Sequence, residues 1–229
     1  MSKEIKENAL FIADAHYPNH GDEFLTLLKS LDNGTIKTPQ LFLMGDIFDL
    51  LFGHNNYIQS FSKEAITLLQ KLSKTLEIHY IEGNHDFCLK ELFPYVKVYK
   101  QEEQPVKFTL NKQEIYLSHG DKHKSGLDYR LYSKIIRNKH FLLALRAFEK
   151  PIIDHRMGKL KIKNICGEFK NYQKKFDMII EHYPKDALII EGHFHQGVQY
   201  KNYISLPSLV CQKQIGTVVN SRLVFKEFG

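Results

Sequence analysis

The sequence predicts an α/β protein interrupted by a basic helical insertion, and three observations carry that prediction. Short apolar runs recur along the 229 residues, each ending in Gly or a polar cluster, the pattern of buried strands. Helical periodicity fills the gaps between them as far as about Phe93, so strand and helix alternate. After Gly120 that alternation stops, and no comparable run returns until Leu188. At 43% apolar residues, with 7 Pro and 13 Gly, the composition excludes collagen-like, low-complexity and wholly disordered classes. The length fits one domain over residues 1–229, carrying a helical basic insertion over 122–183.

Leu10 to Ala13 forms the first run, followed by Phe24, Leu25, Leu27, Leu28 and Leu31 on a helix that starts after Asp22 and stops at Asn33-Gly34. Leu41 to Met44 is the second run. Ile58, Phe61, Ala65, Ile66, Leu69 and Leu72 repeat at three and four and predict one apolar helix face. Ile78 to Ile81 and Ile115 to Leu117 are the third and fourth runs. Inside the insertion, Leu131, Ile135, Leu142 and Leu145, with Tyr132 and Ile136 beside them, form one stripe. Phe169, Tyr172, Phe176, Ile179 and Tyr183 form another. Leu188 to Ile190 is the fifth run, and Val198 to Phe225 reads as further short strands with turns at Pro207 and Gly216.

Charge is unevenly spread. The net charge is +6, but Gly120 to Lys175 holds 15 Lys and Arg against 5 Asp and Glu, a local +10 on a body of −4. Such a segment suits an anionic ligand or surface. Cys88, Cys166 and Cys211 show no paired spacing, so neither a disulfide framework nor a thiolate zinc cage is expected, and a reducing cytosol fits. Met1 to Asn8 is polar and the apolar run behind it short, so no export signal is expected. No stretch approaches the roughly 18 apolar residues of a membrane span, which leaves a soluble protein or one lying on a membrane.

Chemistry is carried by the residues directly after each run: Asp14-Ala15-His16, Gly45-Asp46-Ile47-Phe48-Asp49, Gly83-Asn84-His85-Asp86, Ser118-His119-Gly120-Asp121 and Gly192-His193-Phe194-His195. Ligands of α/β sheets bind beyond the carboxyl ends of strands, so five such clusters can meet at one place. Residues two apart in an extended chain point the same way, which would aim Asp14 with His16, and His193 with His195, at a common point. Imidazole and carboxylate donors suit Mn²⁺, Fe²⁺ or Zn²⁺. Asp46 can bridge two cations, and Gly45, Gly83 and Gly192 allow sharp turns beside the ligands.

In order and residue type these clusters resemble the calcineurin-like metallophosphoesterase superfamily over Asp14 to His195. The resemblance implies a four-layer fold, two packed mixed β-sheets flanked by helices, with a helical cap and two divalent metal ions, Mn²⁺ being expected. It implies that Asp14, His16, Asp46 and His195 hold one metal, and Asp46, Asn84, His119 and His193 the other. His85 would lie against the substrate phosphoryl group, oriented by Asp49, and Asn84 would touch substrate as well as metal. The basic segment, with Tyr129, Tyr132, Ile136 and Arg137, is similar to the cap of the UDP-2,3-diacylglucosamine pyrophosphatases of lipid A synthesis. Tyr129 and Arg137 are then expected substrate contacts. His85 and Asp49 depart from the best-known branch, which has Arg and Glu there, and match the general phosphoesterase pattern.

The expected reaction is hydrolysis by a metal-activated water, with His85 as general acid or phosphate clamp. The expected substrate is UDP-2,3-diacylglucosamine, a nucleotide-sugar lipid met at the cytoplasmic face of the inner membrane, with no obligatory nucleic acid and no protein partner. A cyclic nucleotide phosphodiesterase, a nucleotide pyrophosphatase or a nuclease would share the metals. A non-catalytic scaffold of the same fold would lack ligands, and all seven ligand positions are present.

Overall fold

A strand that reads as a continuous apolar run needs cover on both faces, and the runs find it. Leu10, Ile12, Leu41, Leu43, Ile78 and Tyr80 pack on one side into a cluster with Phe24, Leu27, Leu28, Ala65 and Leu69. Their neighbours Phe11, Phe42 and Ile81 face the other way, toward Phe108, Ile115, Leu117, Ile190 and Ile204. The computed structural model describes residues 3–123, 127–167 and 169–229, apart from the side chains of 127–130, 132, 145 and 147.

Within that chain, two mixed sheets stack face to face. One runs Arg222–Glu227, Gln214–Val219, Leu10–Ile12, Gln40–Leu43, Glu77–Ile81, Lys97–Tyr99, with the last four strands parallel. The other runs Val198–Tyr200, Tyr203–Ser205, Leu188–Glu191, Gln113–Ser118, Val106–Leu110. Helices Glu23–Asp32 and Lys63–Leu72 cover the first sheet. Helix Tyr172–Ile180 covers the second, with the Phe176 ring 4.2 Å from that of Tyr203 and Ile179 beside Ile189. The result is four layers, as the resemblance implied. Each large apolar side chain buried in them contributes about 1.5–3 kcal/mol.

Several expectations are corrected. The stripe from Ile58 to Leu72 is two helices, Asn56–Ser60 and Lys63–Leu72, because it serves two partners. Ile58 packs with Ile153, Met157 and Leu160 of helix Glu149–Lys161, whereas Ala65, Ile66 and Leu69 pack on the sheet. Gly216 is no turn; it lies inside a strand opposite Phe11, and the reversal comes at Asn220 and Ser221, both left-handed. The stripe Phe169 to Tyr183 belongs to the body, as the layer over the second sheet. Leu131 and Ile135 of helix Leu127–Ile136 remain 62% and 43% exposed, while Leu142 of helix Lys139–Leu145 is buried. Cys166 and Cys211, expected as free thiols, form a disulfide across 45 residues with Cα atoms 5.3 Å apart. Nothing in their spacing signals it; the fold brings the loop after Lys161 beside helix Leu209–Gln212. No helix among the described residues is long and apolar enough to cross a membrane.

Candidate metal centre

The strands end in register, Ile12 beside Leu43 beside Tyr80 in one sheet and Ser118 beside Glu191 in the other. The polar clusters beyond them therefore meet at one edge. Asp14, His16 and His195 form one group, and Asp46, His119 and His193 another, with the ligand atoms of each group within 4.8 Å of one another. Asn84 joins the second group, its Oδ1 lying 3.3 Å from His119 Nε2. The carboxylates also tie strand ends together: Asp14 Oδ2 accepts from the His193 amide at 2.9 Å, and Asp46 Oδ1 accepts from the His85 amide at 2.8 Å.

Asp14 and His16 do converge, as do His193 and His195 on their neighbouring groups, but not as residues of an extended chain. Asp14, His16, Asp46, His193 and His195 all occupy left-handed backbone, with φ of 50°, 45°, 51°, 61° and 53°. Each such non-glycine residue costs on the order of 1–3 kcal/mol, a cost tolerated where surrounding structure imposes it. The glycines act differently from one another. Gly45 turns left-handed at φ 86°, whereas Gly83 is required by proximity, since a Cβ there would lie 2.3 Å from Asp46 Oδ1.

Asp86 fixes this approach. Fully buried, its carboxylate accepts from the amides of Asp46 (3.0 Å), Ile47 (2.6 Å), Phe48 (3.3 Å) and Gly83 (2.9 Å) and from the Tyr80 hydroxyl (2.6 Å). One side chain thus locks two motif loops together.

Three imidazoles are oriented alike. Because a carbonyl can only accept, Nδ1–H donates in each case: His119 to Met44 O at 3.0 Å, His195 to Ile165 O at 3.0 Å and His85 to Asp49 O at 2.6 Å. That leaves Nε2 of His119 3.4 Å from Asp46 and Nε2 of His195 3.1 Å from Asp14. Histidine ligands are commonly fixed in this way by a carbonyl behind them. Burial opposes the charge on Asp46, but the imidazoles of His119, His85 and His16 outweigh it and hold the carboxyl well below its ordinary range. Burial likewise opposes a charge on His119, yet Asp46 lifts that imidazole to about 10. Among the described residues His16 Nδ1 is buried without a hydrogen bond, and buried Asp14 Oδ1 has His195 Nε2 3.1 Å away but no hydrogen bond of good geometry. Buried lone pairs left so are costly unless something positive meets them, and the donor set fits divalent cations.

Over both groups opens a cavity of about 770 Å³, lined by His16, Asp46, Asn84, His85, His193 and His195 and, across from them, by Lys163, Asn164, Ile165, Gly167, Phe169 and Lys175. His85 packs edge-on to His16 at 5.1 Å. Asp49 meets His85 through its main-chain carbonyl, not through the side chain expected to orient it. Its buried carboxylate instead accepts from the Asn19 amide and lies 2.6 Å from His20 Nδ1, so Asp49 does not reach the cavity. Arg137 is not a cavity residue either. Its guanidinium donates to Gly83 O at 2.7 Å, pairs with Glu82 at 3.4 Å and sits over the Phe87 ring, bracing the Asn84 loop from behind. Tyr129 lies in helix Leu127–Ile136, and its side chain lies outside the described residues. Sequence reasoning missed His20, whose Nε2 meets Lys163 O at 3.1 Å, and also Lys163, Asn164, His123 and Lys175 in the cavity wall. Only the basic count of the insertion pointed toward the lysines.

A family model described as calcineurin-like phosphoesterase matches residues 8–197. A UDP-2,3-diacylglucosamine hydrolase of Blochmanniella pennsylvanica is 24% identical over 96% of each chain. One from Coxiella burnetii is 29% identical over 82% of this chain and 81% of its own. Among solved structures, a dimetal phosphatase from Danio rerio aligns over 96% of this chain and 95% of its own, at 12% identity and a TM-score of 0.47.

Proposed function

The chain belongs to the calcineurin-like phosphoesterases and is a metal-dependent hydrolase, and from that membership we propose that it cleaves the pyrophosphate bond of UDP-2,3-diacylglucosamine to UMP and 2,3-diacylglucosamine 1-phosphate. The observation that carries this reading is the cavity, which joins both metal-ligand groups to the basic insertion. A diphosphate at the ligand groups would extend beneath Lys163 and Lys175. We assign Asp14, His16 and His195 to one divalent ion, Asp46, Asn84, His119 and His193 to a second, and Asp46 to both, with Mn²⁺ as the cation in use. Such ions supply Lewis acidity to the phosphoryl group and lower the pKa of the attacking water.

The chain's own residues do the rest. With Nδ1–H given to the Asp49 carbonyl, the neutral His85 ring offers Nε2 as an acceptor; as the imidazolium, that same nitrogen would pass a proton to the leaving oxygen or donate to a phosphoryl oxygen. The amide of Asn84 offers an uncharged contact beside it. Exposed Leu131, Ile135, Phe148 and Ile162 stand among the lysines and arginines of the insertion, a mixture suited to an anionic membrane surface. We therefore place the protein peripherally on the cytoplasmic face of the inner membrane, where this substrate resides.

The test is incubation of the Mn²⁺-loaded protein with UDP-2,3-diacylglucosamine, following UMP release. Release supports the reading. A preparation that leaves that substrate intact while cleaving cyclic nucleotides or single-stranded nucleic acid refutes it.

A further inference from the structure

Glu191 is the last residue of its strand, two before His193, and its carboxylate is fully buried. A buried carboxylate is costly unless its oxygens are met. Here Oε1 accepts from the Ser118 hydroxyl and lies 3.0 Å from His123 Nε2, and Oε2 accepts from the Tyr203 hydroxyl at 2.7 Å. The histidine comes from the loop after His119, 68 residues away in sequence. Its main chain is pinned as well, because Lys175 Nζ, reaching across from helix Tyr172–Ile180, donates to His123 O at 2.6 Å.

A histidine of the solvated surface needs no such double anchorage, and one serving only the core would not line the cavity, as His123 does. With Nε2 committed to Glu191, Nδ1 is the ring nitrogen left to meet a ligand. The position is informative too. His85 stands against His16 of the first ligand group. His123 instead hangs from Glu191, on the strand that delivers His193 to the second group. A diphosphate has two phosphoryl groups, and the ligand groups with His85 account for the one attacked.

We propose that His123, oriented by Glu191 and backed by Lys175, is a substrate-contact residue that receives the second, unattacked phosphate and so selects diphosphates over simple diesters. This rests on the hydrolase reading above but not on the lipid. As the imidazolium, with Nε2–H given to Glu191, His123 meets a phosphoryl oxygen through Nδ1–H in a charge-assisted bond, and Glu191 serves as the positioning residue.

The test compares kcat/KM on UDP-glucose, UDP-2,3-diacylglucosamine and bis(p-nitrophenyl) phosphate for wild type, His123→Ala, His123→Asn and Glu191→Gln, with bound metal counted for each. For His123→Ala the ratio of diphosphate to diester kcat/KM should fall about 10- to 100-fold, mostly through KM. Glu191→Gln should give a smaller fall and a shifted pH profile on the diphosphates. Equal losses on all three substrates, no loss on any, or a loss of bound metal in both His123 variants would overturn the assignment. So would a wild type that cleaves the diester alone. If UDP-glucose is cleaved and the acylated substrate is not, the lipid reading fails, while the ratio between UDP-glucose and the diester still decides the role of His123.

Discussion

Asp86→Asn is the substitution whose effect the structure fixes most closely. The carboxylate accepts five hydrogen bonds, two on Oδ1 from the Asp46 and Gly83 amides and three on Oδ2. An asparagine best keeps its oxygen at the three-donor position, which turns its NH₂ toward the two amides. Each buried N–H so left costs about 1–3 kcal/mol, giving a total of about 4 kcal/mol. For a chain of this length about 1 kcal/mol lowers Tm by 2–4 °C, so a fall of about 10 °C is expected in calorimetry of the metal-free protein. The two abandoned amides belong to the loops that place Asp46 and Asn84, so metal affinity should fall with stability, read as the Mn²⁺ concentration needed to restore Tm. A variant that melts within about 2 °C of wild type and binds metal equally would show that Asp86 does not organise these loops.

Other outcomes rest on the same geometry. His85→Ala should lower kcat about 10²- to 10⁴-fold with metal content unchanged; lost metal would instead make His85 a ligand. Adding Mn²⁺ at about 100 times its Kd to chelator-treated protein should stabilise it by about 2.7 kcal/mol, with Tm rising accordingly, and an unmoved Tm would contradict the ligand groups. His79, stacked on Phe42 and 3.1 Å from the Tyr99 hydroxyl, is held by burial at about 4. Its folded pKa lies below the unfolded value of about 6.5, so the unfolded chain binds the proton first and stability falls as pH drops from about 6.5 to 4, by about 3 kcal/mol. Chemical denaturation of His79→Phe across that range should show a flatter profile; an unchanged slope would assign the loss to other groups.

Much of the body was legible because its strands are buried on both faces. Leu41 to Met44 and Leu188 to Ile190 read as unbroken apolar runs, and their continuations carried the ligand set in motif order. Signals weakened where one pattern served two neighbours. The Ile58 to Leu72 stripe conceals a helix break because its first residue, Ile58, faces helix Glu149–Lys161 while Ala65 to Leu72 face the sheet. Strand Val106–Leu110 alternates buried with more open positions and so presents no unbroken run. Gly216 imitated a turn because a close approach to Phe11 also calls for glycine. In the site, residue type identified the candidate ligands but not what holds them. The pairs His20 with Asp49, Arg137 with Gly83 and His123 with Glu191 lie 29, 54 and 68 positions apart. Contacts of that range exist only after the sheets have stacked, and no spacing rule reaches them.

The link between Cys166 and Cys211 gives the reductant in a buffer an unexpected weight. Cys166 comes after Lys163, Asn164 and Ile165, which overhang the cavity, while Cys211 sits one turn beyond Ser208, whose hydroxyl donates to the main chain of Asp14. Oxidised protein has this overhang sewn to the floor of the site; dithiothreitol removes that covalent tie and leaves non-covalent contacts such as the hydrogen bonds with His195 and His20. Kinetic constants gathered with and without a thiol reagent therefore describe two differently hinged molecules, and variants are comparable only when their cysteines share one oxidation state.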